Sequence, residues 1–111
     1  MKYIATKRFN NLEIDFHEED GKLWIKRRDI GEALDYSYPK DSTAKLHSRY
    51  KGLFNPHSKN VLLEDSNGRS QQTVLYDSTA VTRFCCISEQ KTDKFIDWYY
   101  QTKARLEVNV A

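Results

Sequence analysis

The sequence has little cysteine and no long apolar segment. Its two cysteines among 111 residues are the neighbours Cys85 and Cys86. A disulfide between adjacent residues is strained and rare, so no disulfide framework is indicated. No apolar run is long enough to cross a bilayer, and no signal-peptide pattern is visible. We therefore expect a soluble protein of the reducing cytoplasm that makes no contact with membranes.

Residues that would mark a catalytic or metal site are also sparse. The histidines are scattered and include no i, i+4 pair: His17, His47 and His57. The adjacent cysteines lack the two-residue gap of a zinc knuckle. The chain contains no glycine-rich phosphate loop and no nucleophile elbow. We expect that the protein is not an enzyme and that it has no metal ion or cofactor.

Charge of one sign does not dominate the chain, because the formal net charge is only +2. That balance excludes a histone-like protein held on nucleic acid by electrostatics alone. The positive charge is nevertheless concentrated locally. Residues 22–31 have a balance of +3 and residues 40–59 a balance of +4, so the remainder is −5. Such runs indicate either a nucleic-acid contact or a solvated helix face.

The apolar pattern predicts two β-hairpins. Leu12, Ile14 and Phe16 alternate with polar residues, and the dipeptide at 20–21, Asp-Gly, is a strong hairpin turn before a returning strand at 23–25. Residues 2–9 are a candidate third strand. Two further strands, at 61–63 and 73–76, flank a polar turn with an Asn-Gly dipeptide.

Four helices are expected beside these strands. The first runs from about residue 27 to 35, with its residues 27–29 solvated. The second begins at Pro39, is capped by Asp41, Ser42 or Thr43, and ends before Gly52. Asp77 caps the third, and the fourth begins near residue 92 or 93.

The predicted architecture is an α+β domain over residues 1–111, with two antiparallel β-hairpins and four short-to-medium helices in the order ββ(β)-αα-ββ-αα. Leu46, Tyr50 and Leu53 are expected to form an apolar stripe on the second helix. The core is expected to contain these side chains: Trp24, Leu34, Leu46, Phe84, Phe95 and Tyr99.

The first helical pair has the outline of a helix-turn-helix, and its neighbourhood resembles a known family. An apolar strand at 23–25 precedes Arg-Asp-Ile at 28–30, Ala-Leu at 33–34 and the turn Tyr-Ser-Tyr-Pro-Lys-Asp at 36–41. The later segments 73–77 and 95–98, the second reading Phe-Ile-Asp-Trp, match in order and spacing. Together these segments resemble the Bro-N domain of baculovirus-repeat proteins and phage antirepressors. Asp35 and Tyr38 depart from the glycine and asparagine that are usual in that family.

The resemblance implies a viral or prophage regulator that binds DNA or another regulatory protein. Members often have a second, C-terminal domain, so a chain of this length would be an excised domain or a short stand-alone member. With the local charge, the resemblance predicts binding of double-stranded DNA by the helical pair. Arg49 is the expected reader of a guanine edge, and residues 26–28 are expected to contact phosphates. The full set of expected DNA contacts is Lys26, Arg27, Arg28, Lys40, Ser42, Thr43, Lys45, Arg49 and Lys51.

The last helix has an apolar surface that indicates a contact with another protein. Its apolar arc is wider than one surface helix needs, because Ile96 and Tyr100 flank the main stripe. We expect these two residues to form a homodimer or partner interface, unless the first hairpin covers them. The alternative function is therefore a protein-binding antirepressor, or a small viral inhibitor, that sequesters a repressor or host defence protein without binding DNA.

Overall fold

A computed structural model describes residues 1–110, with side chains through residue 107. The chain forms an α+β fold, as predicted. The strands are β1 (Lys2–Phe9), β2 (Leu12–Glu19), β3 (Lys22–Lys26), β4 (Ser58–Glu64) and β5 (Ser70–Tyr76). The helices are α1 (Arg27–Ala33), α2 (Pro39–Arg49), α3 (Lys51–Phe54), α4 (Ser78–Ile87) and α5 (Asp93–Val110), with a 3-10 turn at Asn55–His57. Within residues 1–110, no helix is both long enough and apolar enough to span a membrane.

The five strands form one antiparallel sheet in the order β1-β2-β3-β5-β4. The two predicted hairpins are both present, and they belong to this one sheet. They join where Ile25 pairs with Tyr76 and Lys26 pairs with Leu75. The candidate strand at residues 2–9 is present as β1 and forms an edge of the sheet.

The turn between β2 and β3 is confirmed. Asp20 and Gly21 both have positive φ, 56° and 74°. Two consecutive left-handed residues match the right-handed twist of the flanking strands and close a tight hairpin. The cap of α4 is also confirmed, because Asp77 Oδ1 accepts a hydrogen bond from the backbone N–H of Ala80 at 3.0 Å.

The main core lies between the sheet and the helices. Leu34, Phe84, Phe95 and Tyr99 are buried there, as predicted. Leu46 is only partly buried, because α2 covers the edge of the core rather than its centre. Trp24 is buried on the opposite face of the sheet, since it alternates with the core residue Ile25. The ammonium of Lys59 lies 5.1 Å from the centroid of the Trp24 ring.

The second helix is shorter than predicted. Tyr50, with φ −124° and ψ 49°, interrupts it before Gly52, and the separate helix α3 follows. Five helices are therefore present in the described part of the chain instead of four. The predicted apolar stripe is wrong beyond Leu46, because Tyr50 is 40% exposed and Leu53 is 37% exposed.

Helices α1 and α2 approach each other closely at Gly31. A Cβ atom at this position would lie 2.7 Å from the Thr43 methyl carbon and 3.0 Å from the Pro39 carbonyl oxygen. The chain leaves α1 through Asp35, whose φ is 62°, while the backbone N–H of Tyr36 donates to the Gly31 carbonyl at 3.1 Å. This left-handed residue reverses the chain and brings α2 back across α1.

The predicted cap of α2 is wrong. Tyr38 occupies the N-cap position and makes no side-chain cap bond, whereas Pro39 is in the first turn as expected. Thr43 lies inside the helix, and its hydroxyl donates to the Pro39 carbonyl at 2.7 Å. The Thr43 methyl group packs against Gly31 of α1, and the residue lies in the second turn of α2. Thr43 therefore cannot cap the start of this helix.

Candidate functional site

A basic groove forms where β3 ends and α1 begins. Its volume is about 180 Å³. One wall comes from the end of β3, α1 and the start of α2, and the other comes from the β4–β5 hairpin. The lining residues are Lys26, Arg27, Arg28, Lys40, Thr43, Leu63, Glu64, Asp65, Gln71, Gln72, Thr73 and Val74.

The groove follows from the short pairing of β3 with β5. Register partners exist only for Ile25 and Lys26, because the chain turns into α1 at Arg27. Residues 70–74 of β5 therefore continue beyond β3, paired to β4 alone. The arginines at the start of α1 lie across the groove from this part of the strand.

Carboxylates neutralise part of the positive charge of the groove. Lys26 Nζ lies 3.6 Å from Asp15 Oδ2, and Arg28 Nε lies 3.4 Å from Glu32 Oε1. Lys40 is exposed and forms no ion pair with the side chains described for residues 1–107. Surface pairs of this kind are weak, so all three cations are available to an anionic ligand.

Arg27 lies beside a hydrogen-bond network that runs from the buried Tyr76 through the half-buried His47 to the exposed Asn55. The Tyr76 hydroxyl is 2.6 Å from His47 Nδ1, and His47 Nε2 is 2.7 Å from Asn55 Oδ1. Because the Asn55 oxygen accepts, Nε2–H donates to it and Nδ1 accepts from Tyr76. Burial raises the pKa of Tyr76, and the positive charge of Arg27 acts in the opposite direction. The network fixes α2 against β5, the two elements that form opposite walls of the groove.

Asp29 is buried near the groove, although the sequence predicted a solvated side chain. It is 6% exposed. Burial raises its pKa to about 6, while Lys26 and Arg28 pull that pKa downward. The apolar spacing of α1 gave no sign of this burial.

The predicted DNA contacts do not all lie on one surface. Lys26, Arg27, Arg28 and Lys40 line the groove. Lys45 and Arg49 are exposed, and at 100° per residue they are about 140° and 180° around α2 from Lys40, on the side turned away from the groove.

The other three predicted contacts have different environments. Ser42 is partly exposed, and Lys51 is exposed on α3; neither lines the groove. Thr43 lines the groove wall but has no accessible surface, and its hydroxyl is bonded within α2. In this structure Thr43 therefore presents no accessible hydroxyl to a ligand.

The sequence did not assign the β4–β5 hairpin to the site. Gln71, Gln72 and Thr73 line the groove opposite the basic residues. In sequence these residues indicated only the start of a strand after a polar turn. The one available signal is the run of amide and hydroxyl side chains at 70–73, which suits hydrogen bonding more than core packing.

The second expected surface lies on α5. Ile96 and Tyr100 line a shallow depression together with Asp93, Lys94 and Asp97. Tyr100 is 42% exposed. Its hydroxyl forms a hydrogen bond with the hydroxyl of Thr82 in α4. The homodimer or partner interface stays a prediction.

Comparison of the chain with protein-family models, with curated proteins and with solved structures gave no match. The resemblance to the Bro-N domain therefore stays a prediction from the sequence motifs.

Proposed function

We propose that this domain is a regulatory protein of the viral or prophage kind that binds duplex DNA through the basic groove. One observation supports this most: Lys26, Arg27, Arg28 and Lys40 come from three consecutive elements and line one groove. The formal charge of the whole chain is only +2, so a cluster of four cations is a local feature.

The cations are suited to phosphates rather than to bases. Lys26 and Lys40 are flexible point charges, and the two neighbouring arginines cannot both address one base pair. Contacts of this type fix the position and orientation of a protein on the duplex. They release counterions from the DNA, so the affinity falls steeply with salt.

A matched pair of lysines on α2 tests the assignment. Lys40 lines the groove and Lys45 lies on the far side of the helix, and both are exposed. Fluorescence anisotropy with a labelled duplex of mixed sequence in about 50 mM salt should show that Lys40→Ala weakens binding about tenfold. Lys45→Ala removes the same charge and should change the Kd by less than about twofold.

Two results would count against the proposal. Equal losses for the two variants would mean that general charge, and not the groove, attracts the DNA. Absence of binding by the wild-type domain even in low salt would give first place to the alternative, a protein that sequesters a repressor or host defence protein.

A further inference from the structure

We propose that the β4–β5 hairpin, and not α2, reads base edges in the major groove, with Gln72 as the residue that selects adenine. The inference rests on the proposed function, because it assigns specificity within the same DNA-binding surface.

The hairpin has the shape that such a role needs. Residues 70–74 of β5 extend beyond the last pair with β3 and remain paired to β4 alone. At about 3.3 Å per residue this two-stranded ribbon continues for roughly 16 Å beyond β3. The major groove is about 12 Å wide and about 8.5 Å deep, and it admits a two-stranded β-ribbon.

The turn that ends the ribbon is held by its own side chains. Asp65 Oδ1 accepts from the backbone N–H groups of Asn67 and Arg69, each at 2.9 Å. Gly68, with φ 78°, completes the reversal. The ribbon therefore ends in a compact, hydrogen-bonded tip.

The Gln72 side chain places an amide without a hydrogen-bond partner among the described residues in the lining of the groove. It is exposed, and its side chain makes no hydrogen bond to any other part of residues 1–107. Its neighbour Gln71 donates to Asp65 Oδ2 at 3.5 Å. Successive strand residues point to opposite faces, so the two glutamines cannot address the same base. A glutamine amide pairs with both N6 and N7 of adenine.

The cross-strand partner of Gln72 also supports a role of this face of the hairpin in base recognition. Leu62 lies directly opposite Gln72 on β4 and is 63% exposed. Cross-strand partners share a face of the ribbon. An apolar side chain beside an adenine reader is suited to the methyl group of a thymine in the major groove. This pair offers a role for a leucine that the core does not use.

The phosphate contacts lie within reach of the reader. Gln72 lines the same groove as Arg27, Arg28 and Lys40. A duplex that receives the ribbon in its major groove would present a phosphate strand to these cations. Lys45 and Arg49, the residues first expected to face the bases, are turned to the other side of α2.

Base-analogue substitution tests the inference. A preferred duplex is first selected from a random pool with the wild-type domain. Each adenine is then replaced in turn by 7-deazaadenine, which lacks the N7 acceptor. The wild type should lose about tenfold in affinity at one position. Gln72→Ala should bind the normal and substituted duplexes equally. Asn60→Ala, the matched control, removes an exposed amide of β4 that does not line the groove, and it should retain the wild-type discrimination.

The outcomes separate the two proposals. If the wild type binds duplex DNA but tolerates 7-deazaadenine everywhere, or if Arg49→Ala rather than Gln72→Ala abolishes the discrimination, the hairpin assignment is wrong while DNA binding stands. If the wild type binds no duplex at low salt, both are wrong. Thermal unfolding of each variant checks that the exposed side chain has been replaced without loss of the fold.

Discussion

Burial of Asp29 makes the stability of the fold depend on pH. Its carboxyl group is enclosed at the junction of β3 and α1, and burial raises its pKa from 3.8 to about 6. A carboxyl whose pKa is higher in the folded state stabilises the protein when it is protonated. That stabilisation is fully present below the unfolded pKa and is lost as the pH rises through the folded pKa.

Replacing Asp29 with asparagine should remove this pH dependence. The free energies of unfolding of wild type and Asp29→Asn should agree near pH 4 and diverge up to pH 6. The variant should be more stable above pH 6, by an amount on the order of 3 kcal/mol. Urea titrations at a series of pH values measure the difference. The exposed Glu89→Gln is the control, and parallel curves for wild type and Asp29→Asn would show that the carboxyl is not buried.

Two buried tyrosines differ in one hydrogen bond. The Tyr99 hydroxyl has no partner within the described residues, whereas the Tyr76 hydroxyl bonds to His47. Tyr99→Phe should therefore leave the free energy of unfolding unchanged or raise it by about 1 kcal/mol, and Tyr76→Phe should lower it by about 1 kcal/mol. Chemical denaturation of the two variants measures this. A larger loss for Tyr99→Phe than for Tyr76→Phe would contradict the assignment.

At the scale of elements, the contact between α1 and α2 depends on Gly31. Helix propensity alone favours alanine at this position. The Pro39 backbone and the Thr43 methyl group leave no room for a Cβ, so propensity and packing oppose each other. We expect packing to outweigh propensity, so that a Cβ at residue 31 lowers the stability of the fold. The Pro39 backbone oxygen cannot move away as a flexible side chain can.

A second glycine separates packing from propensity. Gly31→Ala should lower the free energy of unfolding by about 1–3 kcal/mol, as overpacking does. Gly52→Ala should leave it unchanged or raise it by about 0.5–1 kcal/mol, because a Cβ there meets nothing within 4 Å. Thermal or urea unfolding of both variants is sufficient. The same sign for both would mean that α1 and α2 are not in close contact.

The elements themselves could be predicted, because their signals are local. The Asp20-Gly21 turn and the Asp77 cap need only neighbouring residues. Asp35, whose φ is 62°, adopts a left-handed backbone conformation that glycine takes most readily. The pairing of Ile25 with Tyr76 joins distant segments and leaves no local pattern, so the sequence did not predict how the two hairpins join.

The candidate site was predictable in part for the same reason. The basic residues at 26–28 and 40 are visible as local charge. Their position opposite the β4–β5 hairpin depends on where β3 stops pairing. The burial of Thr43 and Asp29 depends on the contacts between elements, which residue spacing along one helix does not encode.

At the scale of the whole molecule, the two expected surfaces are separate. The basic groove lies between α1, α2 and the β4–β5 hairpin, and the Ile96–Tyr100 depression lies on α5. A homodimer formed through α5 would therefore leave the groove of each subunit open to DNA. Two grooves in one dimer would favour two half-sites in the DNA.

Sedimentation velocity tests the dimer. At tens of micromolar we expect the wild type to sediment as a dimer. Tyr100→Ser, which removes an exposed aromatic ring, should shift the protein toward monomer. Leu62→Ser removes an even more exposed apolar side chain from β4 and should not. A wild-type protein that is monomeric over this range would remove α5 as a self-association surface.

The salt dependence of DNA binding tests the basic groove most directly. Four phosphate contacts predict that log K falls with log salt with a slope of about −3.6, since each contact contributes about −0.9. The double variant Lys26→Ala, Lys40→Ala should flatten the slope by about 1.8, and the double variant Lys45→Ala, Arg49→Ala should leave it unchanged. A slope that is insensitive to the first pair and flattened by the second would place the DNA on the outer face of α2 and contradict the groove.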